Sequence, residues 1–210
     1  NHNILEHIIN RVKKSHIPEN ITVATTTNSE DAELVKIIQT NRVDFFRGSE
    51  LDVLDRCYKA AKKYSLDPVI RITGDDPIKD PSIIDQAIKI YKENNEKYDL
   101  ICNTMKPTFP EGLDVELIPF KTLEKVWNKA TTLEDREHLT KFIFDNKEDF
   151  KIYNFENPQN LSQIRLTLDT KEDLELIKQI YDSLYISNNI FSWNEAVSYT
   201  HLRAHETRHD

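Results

Sequence analysis

The sequence is poor in cysteine. It has two, Cys57 and Cys102, far apart and without metal-ligand spacing. That excludes a disulfide-stapled scaffold and a cysteine-rich zinc module, and it fits buried thiols in a reducing cytosol. No apolar run approaches the ~20 residues that span a bilayer. No apolar stretch of signal-peptide type opens the chain. Positive charge is in deficit: 28 Lys and Arg against 36 Asp and Glu give a net charge of -8. An acidic surface argues against general binding to nucleic acid or membrane. An anionic nucleotide is not excluded, because a metal and local groups can invert the potential of one pocket. The expected setting is therefore the cytoplasm, with small-molecule partners.

What is present is a regular alternation of patterns over 210 residues, a length suited to one domain. Apolar residues at 4, 5, 8, 9 and 12 mark a helix over Ile4–Lys14, stopped by Pro18. A β-branched strand, Ile21–Thr25, follows. A helix over Ser29–Thr40 has Ser29 as its cap and acids in its first turn. A strand, Val43–Phe46, ends in Arg47-Gly48-Ser49, and a helix covers Leu51–Tyr64. The strand Pro68–Thr73 ends in Gly74-Asp75-Asp76-Pro77. A helix runs from Pro81 to about Asn94, then a strand over Asp99–Cys102. In the second half, 112–118 alternates like a strand. Helices are expected over 120–130 and 133–146, strands over 152–155 and 164–168, and a final helix over 170–184 capped by Thr170. Alternating strands and helices read as βαβ units, an α/β fold with helices on both faces of a largely parallel sheet.

Two carboxylates carry the chemical signal. Asp75 follows the strand ending at Thr73, and Asp169 follows the strand expected over 164–168. Ligands gather at the carboxyl ends of strands in such sheets, and Mg²⁺ is held by one or two carboxylates plus phosphate oxygens. Gly74 lets the backbone approach a ligand closely. Asp76 reads as a solvent-facing turn residue. Arg47-Gly48-Ser49, between strand and helix, suits an anionic or ribose-bearing ligand. Against these stand plainer readings: Asp75 as a turn residue, Asp169 as a residue leading into a helix, His138 as a surface histidine.

The segments Phe46-Arg-Gly-Ser-Glu-Leu-Asp-Val-Leu-Asp-Arg56, Val69-Ile-Arg-Ile-Thr-Gly-Asp-Asp-Pro77, Glu111-Gly-Leu-Asp-Val-Glu116, Asp135-Arg-Glu-His-Leu-Thr140 and Arg165-Leu-Thr-Leu-Asp-Thr-Lys-Glu-Asp-Leu174 occur in that order. Together they resemble the spore coat polysaccharide biosynthesis F-type cytidylyltransferases, relatives of CMP-KDO synthetase and acylneuraminate cytidylyltransferase. The resemblance covers about residues 4–184. It implies a three-layer α/β/α nucleotide-diphospho-sugar transferase fold, Rossmann-like, with a mixed, mostly parallel sheet. It implies CTP and Mg²⁺ and transfer of CMP to a sugar acid with loss of pyrophosphate. It makes Asp75 and Asp169 the metal ligands. It puts Arg47, Gly48, Ser49, Thr73 and Gly74 at the nucleotide, and Asn103, Glu111, Asp114, Glu116, Arg136 and His138 near the sugar. Relatives are often dimers, so a homodimer is an expectation. The family also begins with a strand and a Gly/Arg/Lys-rich phosphate loop. Here the chain opens at the following helix, so a missing first strand and an inactive or unstable fragment are expected.

The alternatives are a glycosyltransferase of the same broad fold, with Gly74-Asp75-Asp76 as its metal turn, and a non-catalytic domain. The nucleotidyltransferase domain is expected to span 1–197. Residues 198–210 hold three of the seven histidines, have no clear apolar face and read as a non-native tail. Its His205-Glu206-Thr207-Arg208-His209 matches a zinc-protease pattern, but next to the chain end it lacks the stable helix and third ligand such a site needs.

Overall fold

The computed structural model describes residues 3–16, 20–94, 96–185 and 190–206. Helix α1, Ile4–Val12, opens with a capping box. The Asn3 side chain accepts from the Glu6 amide, and the Glu6 carboxylate accepts from the Asn3 amide, so two amides at the helix start are satisfied reciprocally. The expected stop at Pro18 lies outside the described residues. Strand β1, Thr22–Thr26, runs parallel to β2, Asp44–Gly48, with Thr22 opposite Asp44 and Thr26 opposite Gly48. Arg47 and Gly48 are thus strand residues and not a turn.

Between them the helix α2 is Ala32–Thr40, preceded by a single 3₁₀ turn over Ser29–Asp31. Ser29 does not cap it. Asp31 instead turns back to accept from the Thr25 and Thr26 hydroxyls and the Thr26 amide, which favours a tight turn over a longer helix. Helix α3, Val53–Tyr64, is capped by Asp52, whose carboxylate accepts from the Asp55 amide at 2.9 Å.

The rest of the chain supplies β3 Val69–Arg71, α4 Pro81–Glu93, β4 Leu100–Cys102, β5 Glu116–Ile118, α5 Phe120–Lys129, α6 Leu133–Glu137, α7 Lys141–Asp145, β6 Ile152–Asn154, α8 Lys171–Leu184 and α9 Trp193–Glu206. The sheet order is β3-β5-β4-β6. β4 and β6 are parallel, while β5 is antiparallel to both its neighbours, so the sheet is mixed.

Alternation along the strands creates two cores. On one face Ile101 and Leu117 pack with Ile8 of α1, Ile83 and Ile84 of α4, Ile177 and Ile180 of α8, and Ala196 of α9. On the other, Leu100, Cys102 and Ile118 pack with Leu54 of α3, Leu123 and Val126 of α5, and Ile143 of α7. Helices therefore cover both faces of the four-stranded sheet, in the three-layer α/β/α arrangement. A third cluster, Ile9, Ile38 and Val43 with Val23 and Phe45, seats α1 and α2 on the β1–β2 pair.

Two expected elements change form. The helix expected over 133–146 is broken at residues 138–140, because Leu139 and Thr140 are drawn into the interior, at 2% and 7% exposure. The strand expected over 164–168 reduces to one isolated parallel bridge, Glu111 to Arg165. Its hydrogen bonds go to two places: the Leu166 amide donates to the Glu111 carbonyl and the Leu168 amide to the Asp75 carbonyl. A segment divided between two partners builds no ladder. Helix α9 continues through Ser198 to Glu206, with Tyr199 packed against the core and Leu202 exposed. The division into a domain over 1–197 and a non-native tail stays a proposal, and residues 207–209 of the zinc-protease pattern lie outside the described residues. Among the described residues no helix is long and apolar enough to cross a membrane.

Candidate functional site

Strand β3 delivers the turn 73–79 to the carboxyl end of the four-stranded sheet. Asp75 is exposed there, and among the described residues its carboxylate has no hydrogen-bond partner. A Cβ placed on Gly74 would meet nothing within 4 Å, so the outer side of the turn is open. Asp76 is different. The expectation that it faces solvent is wrong: it is 4% exposed. Its Oδ2 accepts from the Thr73 hydroxyl at 2.7 Å and from the Lys79 ammonium at 2.9 Å. The turn curls so that Pro77, Ile78 and Lys79 enter the interior, and a carboxylate drawn in with them needs a charged partner.

The segment leading to Asp169 is bound to this turn. The Asp75 carbonyl accepts from the Leu168 amide at 2.9 Å and from the Thr167 hydroxyl at 3.3 Å. The other side of the segment lies against residues 111–113. Gly112 has φ +94°, and a Cβ on it would stand 2.8 Å from the Leu166 carbonyl carbon and the Thr167 nitrogen. Only glycine permits both that backbone angle and that approach. Asp169 itself is half exposed. Its carboxylate accepts from Arg165, which also holds Glu111 through both carboxylate oxygens, at 2.7 and 2.8 Å, and reaches Asp173. The neighbouring carboxylates and these hydrogen bonds raise the Arg165 pKa.

Beside the start of the Asp75 turn is a small cavity of about 60 Å³ lined by Arg71, Thr73, Thr104, Asp114 and Glu116. Glu116 is 6% exposed and fully engaged. Arg71, its cross-strand partner, binds Oε2 at 2.9 Å, and the Thr140 hydroxyl donates to Oε1 at 2.8 Å. Burial lowers the Arg71 pKa, but the charge and hydrogen bond of Glu116 outweigh it and the net shift is upward. Asp114 sits at the mouth. The crowding protein pushes its carboxyl above the ordinary range; Lys79 opposes this, and Asp76, Glu116 and Glu111 add to it.

The structure thus brings together Thr73, Gly74, Asp75, Glu111, Asp114, Glu116 and Asp169. The other expected residues stand apart or are already committed. Arg47, at the end of β2, donates to the Thr26 and Asn28 carbonyls and fixes the β1–α2 turn. Gly48 is packed against Phe46 and Arg56. The Ser49 hydroxyl accepts from the Asp52 amide. Asn103, 1% exposed, donates to the Leu113 carbonyl and accepts from the Val115 amide, so its amide holds the Asp114 loop and does not face a ligand. Arg136 clamps Asp52 through Nε and Nη2 and the Trp127 carbonyl through Nη1. His138 is exposed at the end of α6. Sequence reasoning missed Arg71 and Lys79. For Arg71 the signal was there: it is a cation between two apolar residues, Ile70-Arg71-Ile72, and a cation drawn inward demands an acid nearby; Lys79, between Ile78 and Asp80, gave no such signal.

The sequence profile of the family described as Cytidylyltransferase matches residues 1–197. An uncharacterized protein of Methanocaldococcus jannaschii is 40% identical over 179 residues, covering 84% of this chain and 72% of that protein. The spore coat polysaccharide biosynthesis protein SpsF of Bacillus subtilis is 31% identical over 186 residues, covering 85% of this chain and 75% of its own length. The solved structure of a cytidylyltransferase from Leptospira borgpetersenii serovar Hardjo-bovis superimposes with a TM-score of 0.92 at 31% identity, over 97% of this chain and 85% of that one.

Proposed function

The chain belongs to the cytidylyltransferase family, and we propose that it transfers CMP from CTP to a sugar acid of the ulosonic type, releasing pyrophosphate, for a surface polysaccharide or glycan. The observation that carries this reading is the bond from the Leu168 amide to the Asp75 carbonyl. It holds two acid-bearing segments, far apart in sequence, at one sheet end. Asp75 and Asp169 are the residues that would hold Mg²⁺. Among the described residues no group of three or more His, Cys, Asp or Glu side chains makes a closed metal cage. A two-carboxylate site completed by phosphate oxygens is the arrangement Mg²⁺ favours. When bound, Mg²⁺ neutralises charge on the triphosphate.

The chain's own residues do the rest. The open side of Gly74 leaves room for a phosphate to approach the backbone. Among the described residues Asp75 has no competing hydrogen-bond partner, while Asp169 must be shared with Arg165. Asp114, at the cavity mouth, is placed to accept from a sugar hydroxyl, and Thr73 and Thr104 line the same cavity. Nucleotidyl transfer asks mainly for in-line positioning and charge stabilisation, which suits a site without an evident nucleophile. The glycosyltransferase reading loses its main support, because Asp76 is paired with Lys79 inside the protein and offers no second metal ligand in the turn.

The test is pyrophosphate release from each of the four nucleoside triphosphates, with Mg²⁺ and a panel of sugar acids. It is run on residues 1–210 and on the same chain preceded by the strand and phosphate loop that the family resemblance implies. CTP-specific turnover is expected from the extended chain and not from residues 1–210 alone, and in the extended chain Asp75→Asn and Asp169→Asn should each lower kcat by about 10²-fold or more. No turnover of the extended chain with any acid, or variants as active as their parent, would sink the reading.

A further inference from the structure

Lys79 has no exposed surface. Its ammonium donates to Asp76 Oδ2 at 2.9 Å and to the Asp114 carbonyl at 2.5 Å. Burying such a pair is expensive, and an apolar pair of similar volume is often as stable or more so. The charges therefore need a reason other than stability. The connections supply one. From Asp114 the chain runs back to Glu111, whose amide donates to Ile164 and whose carbonyl accepts from Leu166, each at 2.9 Å. From there it reaches Leu168, which donates to the Asp75 carbonyl. The path then returns through Asp76 to Lys79. It is a ring of three loops, 73–79, 111–115 and 164–169, in which the Lys79 side chain hydrogen-bonds the first two together.

We infer that Lys79, with Asp76, is a positioning residue that closes this ring and sets the Asp75 turn in register with Asp114 and with the segment carrying Asp169. The inference rests on the proposed assignment of Asp75 and Asp169 as the metal-binding pair. Lys79 touches no substrate and acts through the loops it joins. Thr73 supports it by donating to the same Asp76 oxygen.

Three proteins test this: the parent chain, Lys79→Met, and the double variant Asp76→Asn/Lys79→Met. The single variant strands a buried carboxylate, and its Tm should fall by about 6 °C or more. The double variant removes both charges and keeps an acceptor for Thr73, so its Tm should stay within about 4 °C of the parent. Amide hydrogen exchange is read on the same samples. In the double variant the amides of Glu111, Leu166 and Leu168 should exchange about tenfold faster, with α4 and α8 unchanged. Its kcat should fall about 10–100-fold, with KM for CTP moved by less than about threefold. Parent-like exchange at those three amides overturns the inference, and so does a parent-like kcat. A double variant as unstable as the single one, with exchange raised throughout, also overturns it, since the pair would then be structural only. The kcat and KM arm is run on the chain preceded by the strand and phosphate loop; absence of CTP turnover there would count against the cytidylyltransferase reading alone, because the exchange arm, read on residues 1–210, decides the ring without any substrate.

Discussion

Two sets of strand ends carry clusters of charge, and they use it differently. At the carboxyl end of β1 and β2, the charged side chains are turned onto the backbone. Arg47 holds two carbonyls, Asp31 gathers two hydroxyls and an amide, and Arg136 joins Asp52 to the Trp127 carbonyl. At the carboxyl end of β3 buried or partly buried cations sit on buried acids: Arg71 on Glu116 and Lys79 on Asp76. Those pairs leave Asp75 and Asp114 outside. The difference teaches that charge at the first end maintains turns, whereas at the second it maintains turns from within so that other carboxylates stay available. The first end should therefore yield stability effects without chemical effects, and the second should yield both.

Gly112→Ala should have the largest effect on stability. The new methyl would meet backbone atoms at 2.8 Å on a residue with φ +94°. Neither the Leu166–Thr167 backbone nor the dihedral can yield without moving the segment before Asp169. A loss of about 3 kcal/mol, some 6–12 °C of Tm, is expected, together with loss of pyrophosphate release. A stable Gly112→Ala protein with full activity would show that the 164–169 segment is not held in place by this contact, and the contrast between the two ends would collapse.

How much of this was legible in the sequence follows from range. Short-range signals were: the apolar face of α1, Pro81 opening α4, and Thr170 capping α8, where Asp173 completes a capping box. So was the position of Asp75 and Asp169 just after two strand-like segments that are bonded to each other at one sheet end; their role at a metal stays a proposal. Signals that depend on a distant partner were not. Residues 164–168 alternate like a strand, yet their hydrogen bonds divide between Glu111 and Asp75. Asp76 looks like a turn residue until Lys79 is seen beneath it. Arg136 looks like a ligand for an anion until Asp52, 84 residues away in the chain, is seen to take its Nε–Nη2 edge. Residue type announces that a charge needs a partner, but only the fold says whether the partner is protein or substrate.

Arg136→Ala sharpens the comparison from the other end. Arg136 is 19% exposed and makes two bonds to the carboxylate that caps α3. Removing it should cost roughly 1–3 kcal/mol, read as a lower Tm, with KM for CTP and for the sugar acid unchanged. Arg136→Lys should recover only part, since an ammonium cannot reproduce the planar two-point contact. A raised KM for the sugar acid at parent-like Tm would return Arg136 to the substrate site.

The smallest effect is expected from Asp31→Asn, and pH makes it measurable. Hydrogen bonds from the Thr25 hydroxyl first, then from the Thr26 hydroxyl and amide, with Arg47 nearby, hold the Asp31 carboxyl below its ordinary 3.8. A carboxylate whose pKa is lower in the folded state stabilises the fold above its unfolded value. That contribution disappears as pH falls through the lower, folded value. Asparagine keeps an acceptor but has no charge to lose. The parent should therefore be the more stable protein at neutral pH, and the difference in Tm should narrow as pH drops below about 4. Activity at neutral pH should not change, because the Asp31 carboxylate is engaged by the Thr25 and Thr26 groups of its own turn. A gap in Tm that stays constant with pH would mean that hydrogen-bond geometry, and not charge, holds the β1–α2 turn. An accompanying loss of CTP turnover would place this end of the sheet in the chemistry after all.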